Sequence, residues 1–485
     1  MKSVIFIGFA LFFTVSTTWA LYFRLEGDRL WLQADNTPLV EILEQFVRTG
    51  VEVRVDPRIQ SNISGSVRGM ALDHALEDLL EPYDYLVTWK ILGGPLGSVP
   101  KLQEIRLFLP GSETAAKPIP RKSPVFEATR GVLGSAPEFV KDELLVTVRR
   151  GTTYNQFKRL LDEIGGMIVD ADAATGVYLI RFPPGTNVEA LLIQLTPNPL
   201  VAHVELNYVT RLPPGEAVGS TELISPPAAR RPADGSIPIA VLDSGFDPGA
   251  SPAGILSAGW DAVDPDRSLS DPGGHGTQMA FLASGLLSPD GFSGQGQILP
   301  VVAVRTFDEE GKTSNFAILQ AITYAANAGA KVVNMSWGSE TDSEFMRRAM
   351  QTAARKGLLL VAAAGNSPTG KPVYPAAYPT VIAVGGVTPD GQPWAGSNFG
   401  NFVEVSAPAL ARFPVGHNGP PGAYVGTSIS SATVANALAQ YLNQHPQATT
   451  ASAVAALKKS LSPPPSGGYG SGILDSAAWQ RFLQP

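Results

Sequence analysis

The sequence predicts an α/β protein: a three-layer, parallel-sheet domain preceded by two small α+β domains. Three observations lead there. Residues 236–485 carry short, densely apolar runs separated by helical patterns, as strands covered on both faces of a parallel sheet require. Residues 21–110 and 141–213 alternate strand-like and amphipathic runs on a smaller scale. Between the blocks lie a Pro- and Ala-rich stretch, 111–140, and a polar, Pro-rich one, 214–235, both of which read as linkers.

Whole-chain properties narrow the function classes. With 44% hydrophobic and 16% charged residues, a chain of 485 residues can bury a large core. A net charge of −7 with no long basic run excludes nucleic acid as a partner. The absence of cysteine excludes disulfides and thiol catalysis. At the N terminus, Lys2 precedes the apolar run Val4 to Val15, and Thr18 and Ala20 stand where processing needs small residues. Residues 1–20 therefore read as a signal peptide cleaved after Ala20, and the product as periplasmic or extracellular. An uncleaved anchor is the alternative, since the run lies near the lower length limit for a spanning helix.

In the first block, Leu39, Ile42, Leu43, Phe46 and Val47 form one helical face, opened by Thr37-Pro38 and closed by Gly50. Val51, Val53 and Val55 then alternate as in a half-buried strand. Leu72, Ala75, Leu76, Leu79 and Leu80 line a second helix, with strands expected at Tyr85 to Leu92 and Ile105 to Leu109. The second block reads strand (Glu143 to Val148), helix (Phe157, Leu160, Leu161, Ile164), short strand (Met167 to Val169), strand (Val177 to Phe182), helix (Val188 to Leu195), strand (Val204 to Tyr208). That is the βαββαβ pattern of a ferredoxin-like domain. In the third block, strands are expected at Ile237 to Leu242, Val301 to Val304, Lys331 to Met335, Leu358 to Ala363 and Thr380 to Val384. Helices are expected at Ala317 to Ala326 and Glu344 to Arg355.

Four short motifs in this third block carry chemistry. Asp243 follows a buried-strand run in Val-Leu-Asp-Ser-Gly, and its carboxylate can fix an imidazole tautomer; alone it reads equally as a turn aspartate. His275, in Gly-Gly-His-Gly-Thr, falls in the first turn of an expected helix, and an imidazole titrating near neutrality suits proton transfer. Asn366, after Val361 to Gly365, offers an amide donor to an oxyanion. Ser428, in Gly-Thr-Ser, brings a hydroxyl and a backbone N–H at a helix N-terminus, a position that otherwise suits a simple cap. Ser430 and Ser431 fall further into the helix and are weaker candidates. His417, between Gly416 and Asn418, reads as a loop histidine without consequence. Asp261, Asp264, Asp266 and Asp271 cluster between Asp243 and His275, where calcium ligation and surface solvation explain them equally well.

Taken together, Asp243, His275, Asn366 and Ser428 in this order resemble the subtilisin-like serine proteases over nearly the whole third block. Further matching text is Asn334-Met335-Ser336-Trp337-Gly338, Tyr374-Pro375-Ala376, Ser397-Asn398-Phe399-Gly400 and Gly470-Ser471-Gly472. The resemblance implies a subtilisin-like fold and an Asp243–His275–Ser428 triad. It also implies an oxyanion hole of Asn366 and the Ser428 N–H, with Ser336, Trp337, Gly338, Ala364 and Gly365 along the substrate site. Substrate would add as a β-strand beside residues 334–338. No cofactor is implied for the chemistry and no metal ligand is assigned; structural calcium is frequent in the family, but no oxygen-ligand loop here is regular enough for it. The chain departs from the family after its serine, with Ile429-Ser430-Ser431-Ala432-Thr433, and after its histidine, with Gln278-Met279.

The second block resembles the propeptide of the same family, whose closing text reads here as Val204-Glu205-Leu206-Asn207-Tyr208. That implies a self-inhibited zymogen, cut within 214–235. The first block resembles the short N-terminal domain of secretins and TonB-linked receptors, through Thr37-Pro38-Leu39, Thr49-Gly50-Val51 and Asp56-Pro57. It implies an interaction module at residues 21–110 for an envelope protein. The expected function is an exported serine endopeptidase acting on polypeptides. The alternative is a catalytically weak or inactive docking protein of the envelope that keeps the same fold. An esterase of α/β-hydrolase type fits less well, because Ser428 lacks a Gly-x-Ser-x-Gly elbow and follows the histidine.

Overall fold

The computed structural model describes residues 21–26, 29–94, 96–119, 126–131, 137–218, 224, 230–250, 254–265, 267–294, 296–464 and 467–483. The expected signal peptide, 1–20, and Asp266 lie outside them. Two compact units result: one takes the described parts of Met1–Ile91, Pro100–Arg121 and Leu160–Met167, the other those of Leu92–Val99, Lys122–Arg159 and Ile168–Pro485.

The first unit holds β1 (Leu21–Glu26), β2 (Arg29–Pro38), α1 (Leu39–Arg48), β3 (Glu52–Val55), β4 (Asn62–Ala71), α2 (Leu72–Leu80), β5 (Asp84–Gly94), β6 (Gly97–Phe108) and β7 (Lys117–Pro118). β1, β2 and β4 form one sheet and β5, β6, β3 and β7 another. The helical faces read from the sequence are the buried ones: Ile42, Leu43 and Phe46 of α1 and Ala75, Leu76 and Leu80 of α2 are within 1% of complete burial. Val51, Val53 and Val55 are buried as the alternation required. The hairpin partners β1, β2 and β4 are additions, because their apolar alternation is interrupted by polar and glycine positions.

Beyond Leu92–Val99, the second unit resumes within the stretch expected as a linker. β8 (Ala128–Arg130) pairs with β9 (Glu138–Val148), so residues 111–140 contain strands as well as turns, β7 among them. Then follow α3 (Tyr154–Ile164), β10 (Met167–Asp172), β11 (Val177–Arg181), α4 (Val188–Leu195) and β12 (Val201–Arg211). Their sheet order, β10-β11-β9-β12, is that of a ferredoxin-like domain. A short strand, β13 (Glu216–Val218), comes next, in what had read as a featureless linker.

The remainder is a seven-stranded sheet ordered β15-β16-β14-β18-β19-β20-β21, parallel at every pairing. Its elements are β14 (Ile239–Asp243), β15 (Leu256–Asp261), α5 (His275–Ala283), β16 (Val301–Arg305), β17 (Lys312–Ser314), α6 (Asn315–Asn327), β18 (Val332–Met335), α7 (Glu344–Arg355), β19 (Leu359–Ala363), β20 (Val381–Val387) and β21 (Val405–Pro408). β22 (Leu410–Phe413), β23 (Gly422–Val425), α8 (Thr427–Gln444), α9 (Thr450–Ser460) and α10 (Ser476–Leu483) complete the chain. The strands read as continuous apolar runs because both faces are covered. Ile239 and Val241 pack with α5 and α8, whereas Ala240 and Leu242 pack with α6 and α7. β14 stands where the order turns back, with β16 on one side and β18 on the other, and such a switch point opens a crevice at the carboxyl ends of the strands.

The ferredoxin-like sheet does not stop at its own edge. β12 pairs antiparallel with β17, from Val209 opposite Ser314 to Arg211 opposite Lys312, and Leu212 N–H donates to Gly311 O at 2.9 Å. Two residues of β12 also meet helix N-termini. The Glu205 carboxylate accepts from Ser343 Oγ and from Glu344 N–H (3.0 Å) at the start of α7, and Asn207 Oδ1 accepts from Phe316 N–H (3.1 Å) at the start of α6. A carboxylate is favoured there because the first-turn N–H groups lack intrahelical partners and the helix dipole is positive. Asn207 is itself oriented by donating to Glu143 Oε2, which belongs to β9. Glu205→Ala should therefore speed hydrogen exchange at the Glu344 amide by about tenfold while leaving amides within α8 unchanged, since one charge-assisted bond contributes ~1.5 kcal/mol.

Candidate active site

Asp243 ends β14 and is fully buried. Its Oδ1 accepts from His275 Nδ1 at 2.7 Å and from Ser244 N–H at 2.8 Å. His275 opens α5 and is 3% exposed. With Nδ1 committed to the carboxylate as donor, Nε2 is the nitrogen left to accept a proton. Burial opposes protonation of His275, but the Asp243 charge and hydrogen bond, joined by the Asp271 charge, outweigh it and hold the imidazole above its ordinary pKa.

The strand end and the helix start are locked together by Asp271, which the sequence reading had left between calcium ligation and surface solvation. Its Oδ1 accepts from Ser244 Oγ (2.7 Å) and Gly274 N–H (2.9 Å), and its Oδ2 from Thr277 N–H (2.7 Å) and Thr277 Oγ1 (2.6 Å). Ser244 Oγ in turn accepts from Gly276 N–H at 2.9 Å. A side chain at Gly276 would collide with Gly245, its Cβ 2.3 Å from that carbonyl oxygen, so the close approach of α5 to the turn after β14 requires glycine. Asp261 is likewise buried, in an ion pair of 2.6 Å with Arg305, and not solvated. Among the described residues, no group of three or more His, Cys, Asp and Glu side chains is arranged to hold a metal ion.

Ser428 lies in the first turn of α8 and is 5% exposed. Its Oγ donates to Ser336 O at 3.0 Å, so in this conformation its proton points along residues 336–338 and not to His275. Ser430 donates to Ala407 O and Ser431 to Ser428 O, so both hydroxyls are turned into the fold. Asn366 follows β19 by three residues. Its Oδ1 accepts from Thr427 N–H (3.0 Å) and Thr427 Oγ1 (2.8 Å), which leaves the NH₂ end to donate elsewhere. Asn366 Nδ2 and the Ser428 backbone nitrogen flank the open side of Gly426, 3.2 and 3.8 Å from where a Cβ would stand.

The expected substrate-site residues divide. Ser336 is fully buried; its hydroxyl donates into α8, at Ser428 O, and its carbonyl oxygen accepts from Ser428 Oγ. Trp337 donates from Nε1 to Leu242 O and also lines a crevice with Ser339, Met346, Tyr374 and Tyr378, together with Tyr208 and Thr210 of β12. Gly338 packs on Val373, and Ala364 and Gly365 continue the β19 edge, where Gly365 N–H donates to Thr427 Oγ1 at 3.2 Å. The strand that pairs with β12 of the ferredoxin-like domain is β17, which had not been singled out. Its three residues are too short and too polar to register as a strand before its partner is in view. His417, which reads as a loop histidine in the sequence, lies with its ring against that of His275, the centroids 4.5 Å apart.

A parallel sheet of this order, with Asp243, His275, Ser428 and Asn366 gathered at the carboxyl ends of its strands, is a subtilisin-like fold. The Subtilase family profile matches residues 234–472, and that of the Fervidolysin N-terminal prodomain matches 131–207. The chain is 31% identical over 322 residues to the thermophilic serine proteinase of Bacillus sp. (strain AK1), covering 63% of this chain and 79% of that one. It is 34% identical over 215 residues to thermitase of Thermoactinomyces vulgaris, covering 44% and 77%. Fervidolysin from Fervidobacterium pennivorans, described as a keratinolytic enzyme related to subtilisin, superposes with a TM-score of 0.56 at 20% identity. The match spans 76% of this chain and 64% of that one, just under two thirds of its length, and bears on the fold. The chain belongs to the subtilase family and is a subtilisin-like serine protease with a fervidolysin-type prodomain.

Asp271→Ala removes the acceptor of four hydrogen bonds and strands their buried donors. In a chain also carrying Ser428→Ala, urea denaturation should show a loss of about 3 kcal/mol or more, and Asp271→Asn should recover part of it.

Proposed function

We propose that the protein is an exported serine endopeptidase, held as a zymogen by its own prodomain, with Asp243, His275 and Ser428 as its triad. The observation that carries the reading is the buried 2.7 Å contact between Asp243 Oδ1 and His275 Nδ1, which leaves Nε2 as the proton acceptor. Rotation about χ1 of Ser428 turns its hydroxyl from Ser336 O toward Nε2. Oγ then attacks the scissile carbonyl as its proton passes to His275. The oxyanion is met by the Asn366 amide and the Ser428 N–H. When the intermediate collapses, the C–N bond breaks, His275 returns the proton to the leaving amine, and Ser428 carries the acyl group. Water, activated in the same way, releases the acid and restores the serine. Every group in this sequence is a protein side chain or backbone amide, and no step calls for a cofactor.

Latency is supported by the path of the chain after the ferredoxin-like domain. β12 runs along β17 as far as Leu212, and β13 pairs antiparallel with β23, the strand that leads into Gly426 and Ser428. Residues 212–215 therefore bridge the two strands, and Gly215 packs on His417 beside His275. Pro213 and Pro214 occupy the middle of this bridge. Proline fixes φ and has no backbone N–H, so these two positions cannot donate into a ladder with a neighbouring strand. Processing is assigned to the polar stretch within 214–235. Membership of a family with secreted relatives and the apolar N-terminal run support export; among the described residues, no helix is long and apolar enough to cross a membrane.

Ser428→Ala is expected to abolish hydrolysis of a peptide substrate by the matured protein, and retained hydrolysis would rule out the assignment. In the same assay, Asn366→Ala should lower kcat about 10²- to 10³-fold with a much smaller change in KM, because its donor acts on charge that develops only in the transition state.

A further inference from the structure

The ring of His417 stands 4.5 Å from that of His275, tilted by 43°. The turn that carries it, between β22 and β23, is fastened to the start of α5. Asn418 N–H donates to Gly273 O at 2.9 Å, and Gln278 Nε2 donates to Val415 O at 2.7 Å. Gly274, with φ +80°, makes room for the turn: a Cβ there would fall 2.0 Å from Gly416 O. From the β23 side, the phenolic oxygen of Tyr424 accepts from His417 N–H at 3.1 Å and donates to Pro420 O at 2.7 Å. The ring is 7% exposed and is placed by contacts from α5 and β23. On the prodomain side, a Cβ at Gly215 would come within 2.9 Å of its Cγ and Nδ1.

We propose that His417 is a positioning residue for His275, its ring forming a wall that covers one face of the base imidazole, fixes its tilt over Asp243 and keeps water from that face. The proposal rests on the reading of His275 as the general base. The titratable groups facing His275 are Asp243 from the end of β14, Asp271 from the loop before α5, and His417 from the β22–β23 turn. Burial, with the neighbouring His275 charge, pushes His417 down to about 3, so it stays neutral across the working range and acts through bulk. Excluding solvent has two opposed effects on His275: it strengthens the pull of the two carboxylates and it withholds water from the imidazolium. Burial is the largest single influence on His275 and opposes its protonation, so readmitting water to that face is expected to make His275 titrate higher. Because the neutral imidazole is the form that takes the serine proton, the acid limb of activity moves up with it.

The test is an NMR titration of the full chain carrying Ser428→Ala and labelled at its five histidines, which needs no turnover. His417→Phe keeps the bulk and should leave the His275 midpoint in place. His417→Ala should raise it by about half a pH unit or more and speed solvent exchange of the Nδ1 proton, as expected when a buried imidazolium gains water. His417→Ser is a second opening variant, and unchanged resonances of His74, His203 and His445 show that the fold is retained. An unmoved His275 midpoint in a folded Ala or Ser variant overturns the proposal. Failure of the general-base reading would appear separately, as peptide hydrolysis by the matured protein that survives His275→Ala.

Discussion

The buried pair of Asp243 and His275 is the constraint around which the rest of the site is arranged. A carboxylate with no solvent exposure and an imidazole with almost none are costly to bury, and hydrogen bonds inside the protein offset that cost. Asp243 Oδ1 is satisfied by His275 and Ser244, while Oδ2 is buried and has no hydrogen-bond partner among the described residues. Meeting even the first oxygen requires the end of β14 and the first turn of α5 to stand in one fixed relation. The Asp271 network supplies that relation, and Gly276 permits the distance. The unpartnered Oδ2 is a local cost that the surrounding packing must bear.

The same logic explains why the prodomain docks where it does. Helices α6 and α7 cover one face of the sheet, and their N-termini present N–H groups that need acceptors. Each helix already has a serine cap, Ser314 and Ser343, but a serine satisfies one donor only. Glu205 and Asn207, two residues apart on one face of β12, each reach one further backbone donor, Glu344 N–H on α7 and Phe316 N–H on α6. Once those anchors are set, the alternation of the strand carries Val209 to Arg211 alongside β17, and the chain continues to β23. The docking that holds the domain in place also determines where its tail runs.

Much of this was legible in the sequence, for reasons that can be named. Runs such as 239–242 and 301–304 are apolar at every position because alternate side chains meet helices on opposite faces, and that pattern survives without coordinates. The four chemistry-bearing motifs stand out because each follows a strand or opens a helix. What escaped depends on pairing between distant segments. Asp271 looked like one of four clustered aspartates, since nothing local reveals that Ser244, Gly274 and Thr277 converge on it. β17 and β13 have three residues each and become strands only by pairing with β12 and β23. His417 is separated from His275 by 142 positions and meets it only because the β22–β23 turn folds back on α5.

The central claim is that one chain holds both a complete serine-protease site and the segment that closes it. Intact-mass analysis with a fluorophosphonate probe tests it most directly, on full-length protein before and after brief treatment with a trace of foreign protease. The account predicts little labelling of the intact chain. After a cut within 214–235, one probe mass should appear on the C-terminal fragment and be absent from the Ser428→Ala protein. Equal labelling before and after the cut would contradict closure of the site by residues 212–218, and labelling that survives Ser428→Ala would contradict the site itself.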